Sequence, residues 1–290
     1  MLNIVGKRKW YYAISLLVII PGIISLLLYG LRLSIDFTGG SRIGYQFNKS
    51  VDQKVLSEIR KVFTDEKVTI ATLQPADKDV LIRTSAIDEK KNTIITEKLR
   101  KKLGNFKQES FETIGPTVGA ETTRNAFTSV LISSTLILLY IAITFRKVPK
   151  PTSSWRFGIT TILALLHDVL VLVGVFSLLG HFLHVEVDSL FITALLTVMG
   201  FSVHDTVVVF DRIRENLQKT GAGTFGNVVN ESILQTLVRS LNTSFTAILV
   251  LIALLIFGGE SIRWFIAALL LGTITGTFSS IFNAAPLLVT

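Results

Sequence analysis

Cysteine is absent from the 290 residues, which excludes disulfides, thiol catalysis and thiolate metal sites. Charge is scarce as well: 17% of residues are Asp, Glu, Lys or Arg, against 49% hydrophobic. No Gly-Lys-Ser or Gly-Lys-Thr follows Gly221-Ala222-Gly223, and no strand precedes it, so a Walker A loop and ATP hydrolysis are not expected. What is present is apolar sequence in blocks of about 20 residues, the length that crosses a bilayer. Six blocks can be read, at 10–31, 125–145, 157–180, 188–210, 243–259 and 263–289. They are expected to be helices, because open sheets leave backbone groups unsatisfied in lipid and the blocks lack the dyad alternation of barrel strands. The first follows Lys7, Arg8 and Lys9 but is too long for a signal-peptide core and has no small-residue cleavage site, so it reads as a retained helix. Pro21-Gly22 predicts a kink within it.

Orientation follows from Lys and Arg. Lys7, Arg8, Lys9, Arg146, Lys147, Lys150, Arg156, Arg212, Arg214, Lys219 and Arg239 fall at the N-terminus and in the 2–3 and 4–5 loops, whereas the 3–4 loop has none. The positive-inside rule then places both termini in the cytoplasm and residues 32–122 outside. The formal charge of +8 is explained by this distribution rather than by a nucleic-acid patch, and no nucleic-acid partner is expected.

The insert at 32–122 holds 29 of the 50 charged residues, 16 basic and 13 acidic, the mixture of a soluble domain surface. Ser41–Phe47 alternates like a strand, and Val51–Phe63 has helical periodicity through Val55, Ile59 and Val62. Val68–Leu73 and Val80–Thr84 read as a hairpin joined through Gln74 to Lys78. Asp88–Leu103 reads as a helix stopped by Gly104, and Lys107–Thr113 as a last strand. The order βαββαβ predicts an α+β ferredoxin-like domain between helices 1 and 2 of a polytopic α-helical membrane protein with six transmembrane helices. The expected division is 1–31 for the N-terminus and helix 1, 32–122 for the external domain, and 123–290 for helices 2–6. Asp36, Gly39 and Gly40 in the segment after helix 1, and Gly115 and Pro116 before helix 2, are candidates for hinges or defined connections.

Polar residues inside the spans are few. Asp205 lies in an apolar run beginning near Ser189, and an ionisable group in hydrocarbon normally faces the bundle interior on an ion or proton path. His167-Asp168 in helix 3 and His204-Asp205 in helix 4 repeat one pair at different depths, which suits a relay. Arg239 opens the fifth block, within reach of the bundle or of the surface. If Arg239 pairs with Asp205, protonation of the carboxylate loosens helix 4 against helix 5; a static structural pair is the alternative. His167 and His204 can shuttle protons or simply donate hydrogen bonds. His181, His184, Glu186 and Asp188 lie at a short external loop without a fixed metal-ligand set, and Asp188 reads as a helix-start residue. Val228–Val238 reads as an amphipathic stretch at the membrane interface.

Asp36-Phe37-Thr38-Gly39-Gly40, Gly115-Pro116, His167-Asp168, the Gly200–Asn216 block and Arg239 to Ser244, taken in order, resemble the SecF family, membrane subunits of the SecD–SecF protein-export complex. That family is similar in its helical core to the proton-driven resistance-nodulation-division transporters. The resemblance covers essentially the whole chain. It implies a SecD partner, contact with the SecYEG channel and small accessory membrane subunits, preprotein as substrate, and a plasma (inner) membrane location in a bacterium or archaeon. It implies proton-motive-force-driven export without a catalytic site, with protons as the coupling ion and no other cofactor or metal. Its functional aspartate maps to Asp205 and its coupled arginine to Arg239, with Asp168 a further relay candidate. His204 stands where many relatives have asparagine, and Ala247 where a second threonine is common. A six-helix half of an efflux transporter and a non-conducting scaffold are the competing readings.

Overall fold

The computed structural model describes residues 2–146, 153–219 and 224–290. It divides into two compact units, Leu33–Phe127 and the remainder, Met1–Arg32 with Thr128–Thr290.

Helix α1 spans Arg8–Tyr29 and ends at Gly30, whose positive φ reverses the chain. A single turn, α2 (Ile35–Thr38), follows; Ser34 caps it by accepting from the Asp36 amide at 3.1 Å. Strand β1 (Gly40–Phe47) leads to α3 (Gln53–Asp65), capped by Asp52, then to β2 (Ile70–Ala76) and β3 (Asp79–Thr84). Helix α4 (Glu89–Leu103) starts at the Asp88 cap and stops at Gly104, with φ of 81°, before β4 (Phe106–Ile114). All strand pairs are antiparallel, in the order β2-β3-β1-β4, so the expected ferredoxin-like sandwich is the observed fold. Ile43, Tyr45, Val80 and Ile82 from the sheet meet Ile59, Phe63, Ile95 and Leu99 from α3 and α4 in its core. Burial pushes the Tyr45 hydroxyl up to about 12, and it bonds Thr96 at 2.9 Å.

The β2–β3 hairpin differs from the sequence reading. The hairpin turn is only Asp77-Lys78, with Asp77 at φ of 51°, and Pro75 lies inside β2. An edge strand tolerates proline because its outward amides need no ladder partner.

The two glycine-bearing connections pack on one another. A Cβ at Gly39 would sit 2.9 Å from the Pro116 Cα, and one at Gly119 would sit 2.8 Å from the Gly39 nitrogen. A Cβ at Gly40 would meet the Thr84 carbonyl at 2.6 Å, and both Gly39 and Gly40 have positive φ. The paired glycines therefore form a tight clasp, closed further by Thr123 donating to the Phe37 carbonyl at 3.3 Å. Gly115 is open to space, and Pro116 is the first residue of the next helix, where its missing amide costs nothing.

In the helical unit, α5 (Pro116–Thr144) carries the second apolar span, α6 (Ser154–Leu183) the third, α7 (Ser189–Lys219) the fourth and α8 (Phe225–Phe257) the fifth. The sixth is α9 (Arg263–Phe278), continued by a π-helical stretch Ser279–Ala284 and a last turn Ala285–Leu287. All six are long and apolar enough to cross a membrane. About half of α6, α7 and the sixth span is buried within the unit, whereas α1, α5 and α8 turn most of their surface outward.

The interfacial reading of Val228–Val238 is corrected: this stretch is part of α8. Asn216 of α7 donates to Ser232 at 2.8 Å and to Gln235 at 2.9 Å, and Val229 and Ile233 are fully buried. Its apolar face thus meets protein rather than headgroups. For the same reason Arg239 does not open a helix but sits inside one. Gly221-Ala222-Gly223, weighed above as a Walker A loop, lies outside the described residues.

Small residues set the α1–α6 contact. A Cβ on Gly174 would sit 2.7 Å from the Gly22 Cα, and Ser25 and Ser177 share a 2.8 Å hydrogen bond one turn on. Among the described residues, a Cβ on Gly200 would meet nothing within 4 Å outside its own helix backbone. We expect Gly174→Ala to destabilise the purified protein by about 1–3 kcal/mol through forced separation of the two backbones, read as a lower Tm, with Gly200→Ala close to neutral.

Outside the membrane, Lys91 at 2.5 Å and Lys98 clamp Glu66 and hold its carboxyl down at about 2. A depressed folded-state value means the contribution is present above the unfolded range near 4.5 and is lost as pH falls toward 2. Glu66→Gln is therefore expected to lower stability at neutral pH and to flatten the acid limb of the unfolding curve between about pH 4.5 and 2.

Candidate functional site

Both intramembrane aspartates face the interior of the helical unit. Asp168 is fully buried and Asp205 is 2% exposed. The sequence places them there by periodicity: Ser202, Asp205, Thr206 and Val209 share one face of α7 at helical spacing, and all four are buried. Glycines on α9 bring that face close. A Cβ at Gly272 would sit 2.1 Å from a Val198 methyl, and one at Gly276 would sit 3.0 Å from the Ser202 Cβ.

Asp168 is fully supplied with donors. Its Oδ2 accepts from Ser202 Oγ at 2.5 Å and from Ser279 Oγ at 2.9 Å, and its Oδ1 lies 2.9 Å from His167 Nδ1. His167 Nε2 is 3.0 Å from Ser15 Oγ, which accepts from Asn283 at 2.8 Å. One neutral tautomer of His167 satisfies this chain: Asn283 donates to Ser15, Ser15 to Nε2, and Nδ1–H to Asp168. His167 is thus hydrogen-bonded through both ring nitrogens, and it ties α1 to α6.

Asp205 is held loosely. Its nearest donors are Ser244 Oγ of α8 at 3.4 Å and His204 Nδ1 at 3.7 Å. Ser244 itself accepts from Thr277 Oγ1 at 2.6 Å, and the buried Ser240 hydroxyl, one turn back on α8, has no partner among the described residues. A proton or cation can bind Asp205 without first breaking a short hydrogen bond. His204 points outward, its side chain 64% exposed, so the His-Asp pairs differ: one imidazole is an internal strut, the other faces the surroundings of the unit.

Arg239 is not brought to Asp205. It is exposed, and it lines a groove of about 420 Å³ with Tyr140, Asp211, Arg212, Arg214 and Glu215. The periodicity explains this: Ser240 and Ser244 occupy the face of α8 toward α7, and Arg239 is turned about 100° away. The loop candidates also separate. His181 stacks on Tyr29 at 3.7 Å, His184 Nδ1 lies 2.7 Å from Arg32, and Asp188 accepts from the Phe191 amide at 2.9 Å as a helix cap.

Sequence reasoning missed Ser15, Ser202, Thr277, Ser279, Ser280 and Asn283. The available signal was the polar series Thr273, Thr275, Thr277, Ser279, Ser280 and Asn283 within the sixth apolar run.

The C-terminal region of the protein export membrane proteins SecD/SecF matches residues 94–290, and the SecD/SecF GG motif matches residues 24–51, which include Gly39 and Gly40. The protein translocase subunit SecF of Thermobaculum terrenum is 46% identical, covering 100% of this chain and 93% of its own length. That of Anaerolinea thermophila is 41% identical, covering 100% and 94%. The crystal structure of SecDF, a translocon-associated membrane protein from Thermus thermophilus, matches 99% of this chain with a TM-score of 0.82 at 33% identity, and the chain spans 38% of that longer one. With full-length relatives, six apolar helices and the glycine clasp all in agreement, this multi-pass membrane chain belongs to the SecD/SecF family of protein export membrane proteins.

Proposed function

We propose that the chain is a proton-motive-force-driven subunit of the Sec translocon that promotes outward movement of preproteins across the plasma membrane. The observation that carries the reading is Asp205: a carboxylate buried among membrane-spanning helices, with its nearest donors at 3.4 and 3.7 Å. A buried carboxylate of this kind changes its interactions with its neighbours whenever it gains or loses a proton. Each charge moved across 100 mV supplies about 2.3 kcal/mol. Proton binding at Asp205 alters the Ser244 contact and so the seating of α8 on α7. Asp168 and His204 are further stations for the proton, and Arg239, at the groove with Asp211, tunes the field at that end.

SecD is the proposed partner, since the related SecDF chain is more than twice as long as the part matched here. The outward-facing surfaces of α1, α5 and α8 are available to it, to the lipid bilayer, to the SecYEG channel and to small accessory subunits. Charge distribution favours cytoplasmic termini and an extracytoplasmic ferredoxin-like domain. Helix α5 runs without interruption from Pro116, at the clasp, into its apolar span, and so supplies a covalent route for motion. No enzymatic step and no bound cofactor is invoked.

The test is preprotein translocation in vesicles holding this chain, SecD and the channel, with and without an imposed proton gradient. The gradient is expected to stimulate the wild type and to leave a well-assembled Asp205→Asn unaffected. A sodium gradient in the same vesicles reports the coupling ion. Equal stimulation of wild type and variant would show a scaffold, or a proton path elsewhere.

A further inference from the structure

The π-helical stretch Ser279–Ala284 is the one irregularity in the sixth span, and it lies against both carboxylate networks. A π turn spaces its hydrogen bonds one residue wider than an α turn, which redirects the side chains that follow. Around it, Thr277 bonds Ser244 of α8 at 2.6 Å and Ser279 bonds Asp168 of α6 at 2.9 Å. Ser280 lies 2.8 Å from Thr206 of α7, and Asn283 bonds Ser15 of α1 at 2.8 Å. Four polar side chains within seven residues thus reach four different helices.

We propose that Ser279 is a positioning residue for proton coupling, a hydroxyl with two alternative acceptors that serves Asp168 in both its charged and its neutral form. Its Oγ lies 2.9 Å from Asp168 Oδ2 and 3.1 Å from the Gly276 carbonyl, and a hydroxyl has a single hydrogen to give. While Asp168 is a carboxylate, that hydrogen goes to Oδ2. Once Oδ2 carries a proton, the Ser279 hydrogen turns to Gly276, and Ser279 Oγ accepts from the Oδ2–H. The proton stays on Asp168, no heavy atom moves, and neither state leaves a buried group unpaired. Ser202, which also donates to Oδ2, is one turn from Asp205 on α7, so the change at Asp168 is felt beside Asp205.

The titratable groups around Asp168 are few. His167 faces it on its own helix, and Asp205 and His204 lie on α7. The charged residues of α1, Arg8 and Lys9, and of α9, Arg263, stand at the first turns of their helices, so α1 and the sixth span meet this site through Ser15, Ser279 and Asn283.

This inference rests on the proton-coupled reading, and the experiment separates the two. Gradient-driven translocation is measured from about pH 6 to 9 for wild type, Ser279→Ala, Ser279→Thr and Asp168→Asn, each assembled with SecD and the channel. Ser279→Ala removes a bond from both forms of Asp168, but the bond to the charged form is the stronger, so the pH profile is expected to move by up to about one unit. Ser279→Thr, which keeps the hydroxyl, is expected to restore the wild-type profile, and Asp168→Asn to remove that limb altogether. A wild-type profile for Ser279→Ala beside an altered Asp168→Asn overturns the role of Ser279 alone. Equal loss in Ser279→Ala and Ser279→Thr without a shift in profile makes the residue merely structural and also overturns it. A wild-type profile for Asp168→Asn removes this carboxylate from the coupling path and the proposal with it.

Discussion

A carboxylate cannot be left bare in hydrocarbon, and the helical unit is arranged around that constraint. Asp168 and Asp205 each need protein groups in place of water, and those groups come from α6, α7, α8 and the π-helical stretch of the sixth span. For Asp168 the demand is met by three close partners, Ser202, Ser279 and His167, which fasten α6 to α7 and to the sixth span. For Asp205 it is met only in part, by Ser244 and His204 at longer range. The two carboxylates therefore differ in how closely they are held, Asp168 by partners at 2.5–2.9 Å and Asp205 by partners at 3.4 and 3.7 Å. Gly272 and Gly276 of α9 let that helix lie close to α7 at Val198 and Ser202, beside the site.

The ferredoxin-like unit solves a separate problem, joining a small soluble sandwich to chain segments that lead into membrane-spanning helices. Its two ends are brought together by backbone contacts possible only without side chains at Gly39, Gly40 and Gly119. Residues 24–51 match a motif named for such a glycine pair, and the geometry gives the physical reason for it.

Much of this was legible in the sequence because membrane spans and strand order are written in long, redundant patterns. Block length gave the six helices, and alternation and turn residues gave βαββαβ. Asp168 and Asp205 stood out because a charge in an apolar run has few innocent explanations. Arg239 misled because a polar cluster, Arg239 to Ser244, looks like a helix start. The structure shows that the helix begins at Phe225, with Val229 and Ile233 buried and Ser232 and Gln235 bonded to Asn216 of α7. The hairpin ends shifted because a strand edge accepts Pro75, which otherwise reads as a turn. The polar series of the sixth run marks Ser279, Ser280 and Asn283, but not the π-helical turn itself or their partners, which lie 74 or more residues away.

The central claim is that the protonation state of Asp205 sets how α8 sits on the rest of the bundle. Because the chain has no cysteine, spin labels can be introduced at Trp155→Cys on α6 and Val238→Cys on α8, both exposed, without background. The interlabel distance distribution in membranes, recorded across pH, tests the claim directly. The account predicts that the distribution shifts with pH in the otherwise wild-type protein and is pH-independent when Asp205→Asn is added. A distribution that ignores pH, or that shifts identically with Asp205→Asn, would contradict it.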